Sequence, residues 1–269
     1  MQRLHVLRDR AGVVLYEREL YSYFGSPFFY GIAGAFWLLA GFFFNVQLQS
    51  LLSQLAVFDQ QGGATITQPI DAPYLLIQNF MGVLGFLLLL LLPMLSMGLY
   101  TEERKRTTLE LLLTAPVRNW TVAIAKLLAV LTAVVGLLLP IAVYEAIALG
   151  SASPPLSPWI FFSGYVGLLL LAAAVLSLGM FLSSLTDSTV LAAILSFLLV
   201  LALWALDSLG GSVSGAIGDI SRHLSLLQQY SQWVEGQVSS ASVVLFASAI
   251  GLGLFLTAQS VELLRVRRG

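Results

Sequence analysis

Six long apolar runs alternate with shorter polar segments along this chain. The runs lie at residues 28–45, 77–99, 121–149, 159–183, 189–207 and 242–260. A helix needs roughly 20 apolar residues to cross the hydrocarbon core of a bilayer, and each run is close to that length or longer. The pattern predicts an all-α integral membrane protein with six transmembrane helices, formed by residues 1–269 as a single transmembrane domain. Because acidic residues precede the first run, we interpret it as a retained span rather than a cleaved signal.

The distribution of basic residues predicts the orientation of these spans. Of the 13 Lys and Arg residues, all but Arg222 fall on one side once the runs are threaded through a membrane. Basic residues are retained in the cytoplasm, so both termini are predicted to be cytoplasmic. The composition agrees, with 58% hydrophobic and 10% charged residues, and it gives no sign of a nucleic-acid partner. The chain contains no cysteine, which excludes disulfides and thiolate metal sites.

Residues 1–27 form a polar lead-in to the first span. Within it, residues 14–24 mix apolar and charged side chains, and Gly25-Ser26-Pro27 follows as a stop signal. We expect a short amphipathic helix at the cytoplasmic interface of the membrane. The alternative is an ordinary basic flank that only anchors the topology.

The last outer segment, residues 209–241, carries a regular apolar stripe. Its apolar residues recur at steps of three or four, and polar residues such as Asp219 and Gln228 fill the gaps. This spacing predicts one amphipathic helix, or two shorter ones, lying flat at the outer surface. Gly236 is expected to end the pattern. The stripe comprises Val213, Ile217, Ile220, Leu224, Leu227, Tyr230 and Trp233.

Residues 101–116, which follow the second span, read TEERKRTTLELLLTAP. The acids come first, as a helix N-terminus prefers, and Pro116 ends the aliphatic run. On a helix the leucines share one face, while Glu102, Arg106 and Glu110 lie along another. The segment is therefore either an amphipathic helix that offers charges to a cytoplasmic partner or a solvated connector with topogenic charges.

Few residues in the spans could carry chemistry. Glu145 is a candidate intramembrane polar site near the outer end of the third span, although a carboxylate there could also reach interfacial water or cap a neighbouring helix. His5 and His223 lie near opposite faces, too far apart for a metal site. Both lysines, Lys105 and Lys126, lack the context of a phosphate-binding loop. We therefore expect no enzyme, no bound metal and no cofactor in this chain.

Residues 102–117, EERKRTTLELLLTAPV, resemble the signature of type-2 ABC transporter permeases, above all the gliding-motility-associated and nitrous-oxide-reductase-associated branch. Further similar segments are Arg18-Glu19-Leu20 with Tyr23-Phe24, the run from Pro93 to Met97, and Ser183 to Asp187. The resemblance implies an interface helix with Arg18, Glu19, Tyr23 and Phe24. It also implies a coupling helix at 101–116 with Glu102, Glu103, Arg104, Arg106, Thr107, Leu109, Glu110 and Thr114. By the same resemblance, the outer segment 209–241 is a re-entrant helical hairpin. The chain departs from the pattern at Thr107, where glycine is commoner, and at 223–227, which lack the usual aromatic run.

By this resemblance the protein is a multi-pass permease subunit of the prokaryotic inner membrane. It would act with a second permease copy or a paralogue, among membrane lipids, and separate cytoplasmic ATPase subunits would bind ATP and magnesium. Short outer loops favour export or lipid release over uptake. The alternative is a mechanical or assembly subunit that acts on an extracytoplasmic protein and transports no solute. Scarce buried charge disfavours a secondary transporter.

Overall fold

The fold of this chain is all-α. The computed structural model describes the backbone of residues 2–60, 71–105, 118–150, 157–212 and 221–268, and the side chains of 12–57, 71–105, 118–150, 157–210 and 221–264. No strand occurs in these ranges. The helices are α1 (Gln2–Phe24), α2 (Pro27–Gln60), α3 (Ala72–Ser96), α4 (Gly98–Lys105), α5 (Asn119–Gly150), α6 (Pro158–Leu185), α7 (Thr189–Ser212), α8 (Leu226–Val234) and α9 (Ser240–Arg268).

Six of the described segments are long and apolar enough to cross a membrane, which confirms the six predicted spans. They are Pro27–Val57, Ala72–Lys105, Asn119–Gly150, Pro158–Leu185, Thr189–Gly210 and Ser240–Leu264. The helices extend beyond the apolar runs, most of all in α2, whose 34 residues are about 51 Å long. A hydrocarbon core is roughly 30 Å thick. The first span therefore continues through Leu48, Leu51, Leu52 and Leu55, which recur at helical spacing.

Helix α6 lies at the centre of the bundle. It packs most extensively against α9, and it also contacts α3, α4, α5, α7 and α8. Close approach depends on glycine at particular places only: a β-carbon at Gly253 of α9 would lie 2.6 Å from the backbone of Ser177 in α6. By contrast, Gly31, Gly34 and Gly251 face open space. Glycine therefore permits close helix packing at some positions of these helices but not at others.

Helix α1 differs from the short interface helix expected over residues 14–24. It begins at Gln2, and it runs beside α5 in the same direction, with Gly12 against Thr121 and Phe24 against Gly136. Its apolar residues Val13, Val14 and Tyr21 nevertheless stay exposed. The predicted stop is confirmed, because the chain turns at Gly25, whose amide donates to Tyr21 O at 2.8 Å.

The outer segment contains a helix that enters the bundle. Residues 221–224 are helical, Ser225 interrupts the helix, and α8 follows. Over the described residues, this agrees with the predicted alternative of two shorter helices. The hydroxyl of Tyr230 donates to the carbonyl of Met81 at 2.7 Å, about 14 Å along α3 from its start. Because Tyr230 and Trp233 are buried, α8 enters the bundle, which agrees with the re-entrant segment that the resemblance implies and differs from the flat helix that the stripe alone indicates. Residues 213–220, which carry the first part of the stripe, lie outside the described residues.

Candidate functional site

A buried lysine marks the place where three helices meet. Lys126 of α5 is only 1% exposed. Its ammonium lies 2.8 Å from Glu19 Oε1 of α1 and 3.1 Å from Glu103 Oε1 of α4. It also donates to the carbonyl of Leu99 at 2.8 Å. A buried charge is tolerated only where it is paired and hydrogen-bonded, so these contacts explain how a lysine can lie inside an apolar helix.

Two segments predicted separately are therefore joined at this lysine. Glu19 belongs to the predicted interface helix, and Glu103 belongs to the predicted coupling segment. Arg18 extends the group, with Nη2 3.7 Å from Glu103 Oε1, although its side chain is 57% exposed and the contact is weakened by solvent. We call Lys126, Glu19, Glu103 and Arg18 the lysine cluster. The cluster therefore connects α4 to both α1 and α5.

Sequence reasoning missed Lys126, which was counted only as a topogenic charge. A usable signal was present, because the residue lies a full turn or more inside an apolar helix. A lysine at such a position needs a carboxylate partner or a route to water. The sequence does not identify the partner, since Glu19 and Glu103 lie far from it along the chain.

Tyr23 and Phe24 hold the end of α1 against neighbouring helices. The hydroxyl of Tyr23 donates to the carbonyl of Leu95 at 3.0 Å. Burial raises the pKa of Tyr23 well above its usual value, and the charges of Glu19 and Glu102 raise this pKa further. The ring of Phe24 packs edge-on against Phe29, with 5.4 Å between the ring centroids. The predicted interface residues therefore make defined contacts within the bundle.

The break between α3 and α4 is bridged by Ser183, in the last turn of α6. Ser183 Oγ donates to the carbonyl of Met97 at 2.9 Å and accepts from the amide of Tyr100 at 3.1 Å. A hydroxyl can do both, and it satisfies backbone groups that the break leaves without helical partners. Pro93, which lies inside α3 one turn before the break, removes one backbone donor.

Arg104 and Lys105 also bind the 183–189 region. Arg104 Nη1 donates to the carbonyl of Ser184 at 2.8 Å, and its Nε forms an ion pair with Asp187. Lys105 Nζ donates to Thr189 Oγ1 at 3.0 Å. The two family-like segments at 102–105 and 183–187 are thus in direct contact. Arg106, Thr107, Leu109, Glu110 and Thr114, which the sequence assigned to the coupling helix, lie outside the described residues.

The basic residues in these contacts lie at one end of the bundle, which we call the basic end. Arg18, Arg104, Lys105 and Lys126 all belong to it, and Arg222 is bound at the opposite end, where its Nε donates to the carbonyl of Gly210 at 2.6 Å. This grouping agrees with the predicted charge asymmetry. Which face of the membrane the basic end occupies stays a prediction from the positive-inside rule.

Glu145 lies near the opposite end and is fully buried. It follows Lys126 on the same helix by about 28 Å, close to the thickness of a hydrocarbon core. Tyr165 donates to its Oε2 at 2.7 Å, and Oε1 has no hydrogen-bond partner among the described residues. Tyr230 belongs to α8, outside the six spans. Burial raises the pKa of its phenol, and the charge of Glu145 raises this pKa further. The carboxylate thus connects α5 to α6 and lies near α8, while its use in function stays a prediction.

The region around α8 is held by close ring packing and by hydrogen bonds from hydroxyl groups. A β-carbon at Gly85 would lie 2.8 Å from the ring of Tyr230, and one at Gly167 would lie 2.6 Å from Trp233 Cβ. Ser225 caps α8 by accepting from the amide of Gln228 at 3.1 Å, and its hydroxyl donates to Asp207 at 2.7 Å. Asp207, near the end of α7, therefore has a structural partner.

No catalytic or metal centre emerges from these contacts. Over the part of the chain that the structure describes, no group of three or more His, Cys, Asp or Glu residues could hold a metal ion. The charged groups of the basic end are used in contacts between helices.

Comparison with known proteins identifies the family. Residues 28–235 match the family described as ABC-2 family transporter protein, which covers most of the chain and includes α2 to α8. No curated protein matches the chain significantly.

Proposed function

The chain belongs to the ABC-2 family of transporter proteins and is a permease subunit of an ABC transporter. From this premise we propose that it serves an exporter or a lipid-releasing system, driven by separate cytoplasmic ATPase subunits that bind ATP and magnesium. The lysine cluster is the observation that carries the proposal, because it connects the segment expected to receive the ATPase with two further helices.

We propose that ATPase closure displaces residues 101–116. The described part of this segment is bound on two sides: Glu103 contacts Lys126, and Arg104 contacts Asp187. A displacement would therefore move α1 and α5 on one side and the turn before α7 on the other. Coupling between two sites requires a part of the protein that has two arrangements and responds to both sites. The helix bundle, paired with a second permease copy, would be that part.

The docking part of this proposal is tested by charge reversal. Glu102 and Glu110 are replaced together by Lys, and the amount of ATPase that co-purifies is measured. Like charges brought together at an interface can cost several kcal/mol, so we expect the ATPase to be lost. Glu103 is left unchanged because it is buried beside Lys126, and its reversal would disturb the fold. Replacing Gln47 and Gln54 is the control. A stoichiometric, active complex with the reversed pair would show that 101–116 is only a connector.

A mechanical or assembly role is the second candidate, and the length of α2 favours it. Residues 45–57 continue this helix past the apolar run, with Asn45, Gln49, Ser50 and Gln54 hydrogen-bonded along its surface. Such an extension offers an uncharged surface to an extracytoplasmic protein. Replacing Gln49 and Gln54 with Glu would reduce capture of that protein if this role holds, and unchanged capture would favour solute export.

A further inference from the structure

Side chains of other helices satisfy backbone groups at the break between α3 and α4. In an uninterrupted helix, each amide donates to the carbonyl four residues earlier. The amide of Tyr100 donates to Ser183 Oγ of α6 at 3.1 Å instead. The carbonyl of Leu95, four residues before Leu99, accepts from the hydroxyl of Tyr23 of α1 at 3.0 Å. Hydroxyl groups from two other helices therefore stand where helical hydrogen bonds would form.

The backbone at the break is nevertheless close to helical. Met97, the residue between α3 and α4, has φ −59° and ψ −35°, which are α-helical values. Its carbonyl accepts from the hydroxyls of Ser183 at 2.9 Å and Thr101 at 2.6 Å. A threonine hydroxyl that donates to the carbonyl four residues back bends a helix, and Pro93 removes a backbone donor one turn earlier. A small change in the backbone would therefore join the two helices.

Both hydroxyl groups have alternative partners if they leave the break. The other serines of α6 each donate to the carbonyl three residues earlier in the same helix, and they are Ser163, Ser177 and Ser184. For Ser183, the corresponding carbonyl belongs to Met180. Tyr23 lines a cavity of about 520 Å³ beside the break, which is large enough to hold water. Release from the break therefore leaves neither hydroxyl without a hydrogen-bond partner.

The same cavity gives α4 room to move. It lies between the turn at Gly25 and Ser26 and the break at Met97 and Gly98, so it adjoins both interruptions of the chain. Packed protein interiors resist displacement because neighbouring atoms fill the space. The break is therefore next to space that a change in the direction of α4 can use.

We infer that the break at Met97 is a hinge with two arrangements. In the bent arrangement, which this structure shows, the hydroxyls of Ser183 and Tyr23 bind the backbone at the break. In the straight arrangement, α3 and α4 form one helix, the amide of Tyr100 donates to the carbonyl of Ser96, and both hydroxyls are released. The hinge is a property of this chain alone, whereas its use in coupling rests on the proposed function.

The test measures a distance across the basic end in the purified full chain, without ATPase. The chain has no cysteine, so spin labels attach only to cysteines introduced at Lys105 of α4 and Leu263 of α9, which are both exposed. Double electron–electron resonance then gives the distance distribution. We expect Ser183→Ala and Tyr23→Phe each to raise the population of a second distance roughly fivefold, because each removes a hydrogen bond made only in the bent arrangement.

Two features of this design keep the test decisive. Ser184→Ala is the matched control, since the hydroxyl of Ser184 donates only to Phe181 within α6, and it should leave the distribution unchanged. Ser183 and Tyr23 belong to different helices, so the two variants should populate the same second distance, and the double variant should raise it further. A single unchanged distance in the double variant, or different second distances in the two single variants, would overturn the inference. Because no ATPase is present, either result leaves the docking experiment unaffected.

Discussion

The two ends of this bundle are held together by different interactions. At the basic end, Lys126 is paired with two carboxylates, and Arg104 binds the turn after α6. At the opposite end, Tyr230 and Trp233 pack against Gly85 and Gly167, and the hydroxyl of Tyr230 donates to the carbonyl of Met81. Ion pairs can be exchanged for other charged partners, whereas interlocked rings cannot move without clashes. The difference fits the proposal that motion enters at the basic end while α8 keeps the opposite end in register.

The largest expected effect comes from removing the lysine. Lys126→Met removes the ammonium that lies within 3.1 Å of a carboxylate oxygen of both Glu19 and Glu103, and breaking a buried pair in this way costs about 3–5 kcal/mol. We expect a large loss of thermal stability in detergent. Lys105→Met is the control, because its exposed ammonium makes a single contact with Thr189. If both variants melt at the same temperature, the lysine cluster does not stabilise the basic end.

Overpacking at the opposite end should have the next largest effect. Gly85→Ala places a methyl group 2.8 Å from the ring of Tyr230, and such a clash costs about 1–3 kcal/mol. Gly82→Ala, on the same helix, meets nothing within 4 Å and should be neutral or slightly stabilising. The melting temperatures of the two variants provide the comparison. Equal behaviour would mean that α8 does not pack as described.

Removal of one hydroxyl at the opposite end should have a smaller effect. Tyr230→Phe keeps the ring but leaves the carbonyl of Met81 without this donor, and the loss of one hydrogen bond costs about 1 kcal/mol. Because both groups are neutral, the decrease in stability should be the same at low and high salt. A strong salt dependence, measured by thermal unfolding in two buffers, would argue that charges hold this end too.

The smallest effect is expected at the exposed ion pair of the basic end. Asp187 is 72% exposed in its side chain, so Asp187→Asn should lower stability by less than about 1 kcal/mol. Salt screens such pairs, and the difference from the unchanged protein should disappear in high salt. Thermal unfolding across a salt series measures the stability difference and its dependence on salt. An effect as large as that of Lys126→Met would contradict the assignment of the buried lysine as the main contact.

The spans could be predicted from the sequence, whereas the contacts between them could not. Long apolar runs dictate helices in a bilayer, because the backbone must satisfy its own hydrogen bonds there. The partners of Lys126 depend on how α1, α4 and α5 pack, and no local pattern contains that information. The same holds for Tyr230, whose stripe was visible but whose fit against Gly85 requires the assembled bundle.

The most direct test of the central claim neutralises the three inner members of the lysine cluster and leaves the exposed Arg18 unchanged. Glu19→Gln, Glu103→Gln and Lys126→Met together remove the buried charges without leaving any of them unpaired, so the fold should tolerate the change better than Lys126→Met alone. The rate of ATP hydrolysis by the reconstituted complex is then compared with that of the ATPase alone. We expect the ATPase to bind as before while the permease no longer alters its rate. An unaltered effect of the permease on that rate would contradict coupling through the lysine cluster.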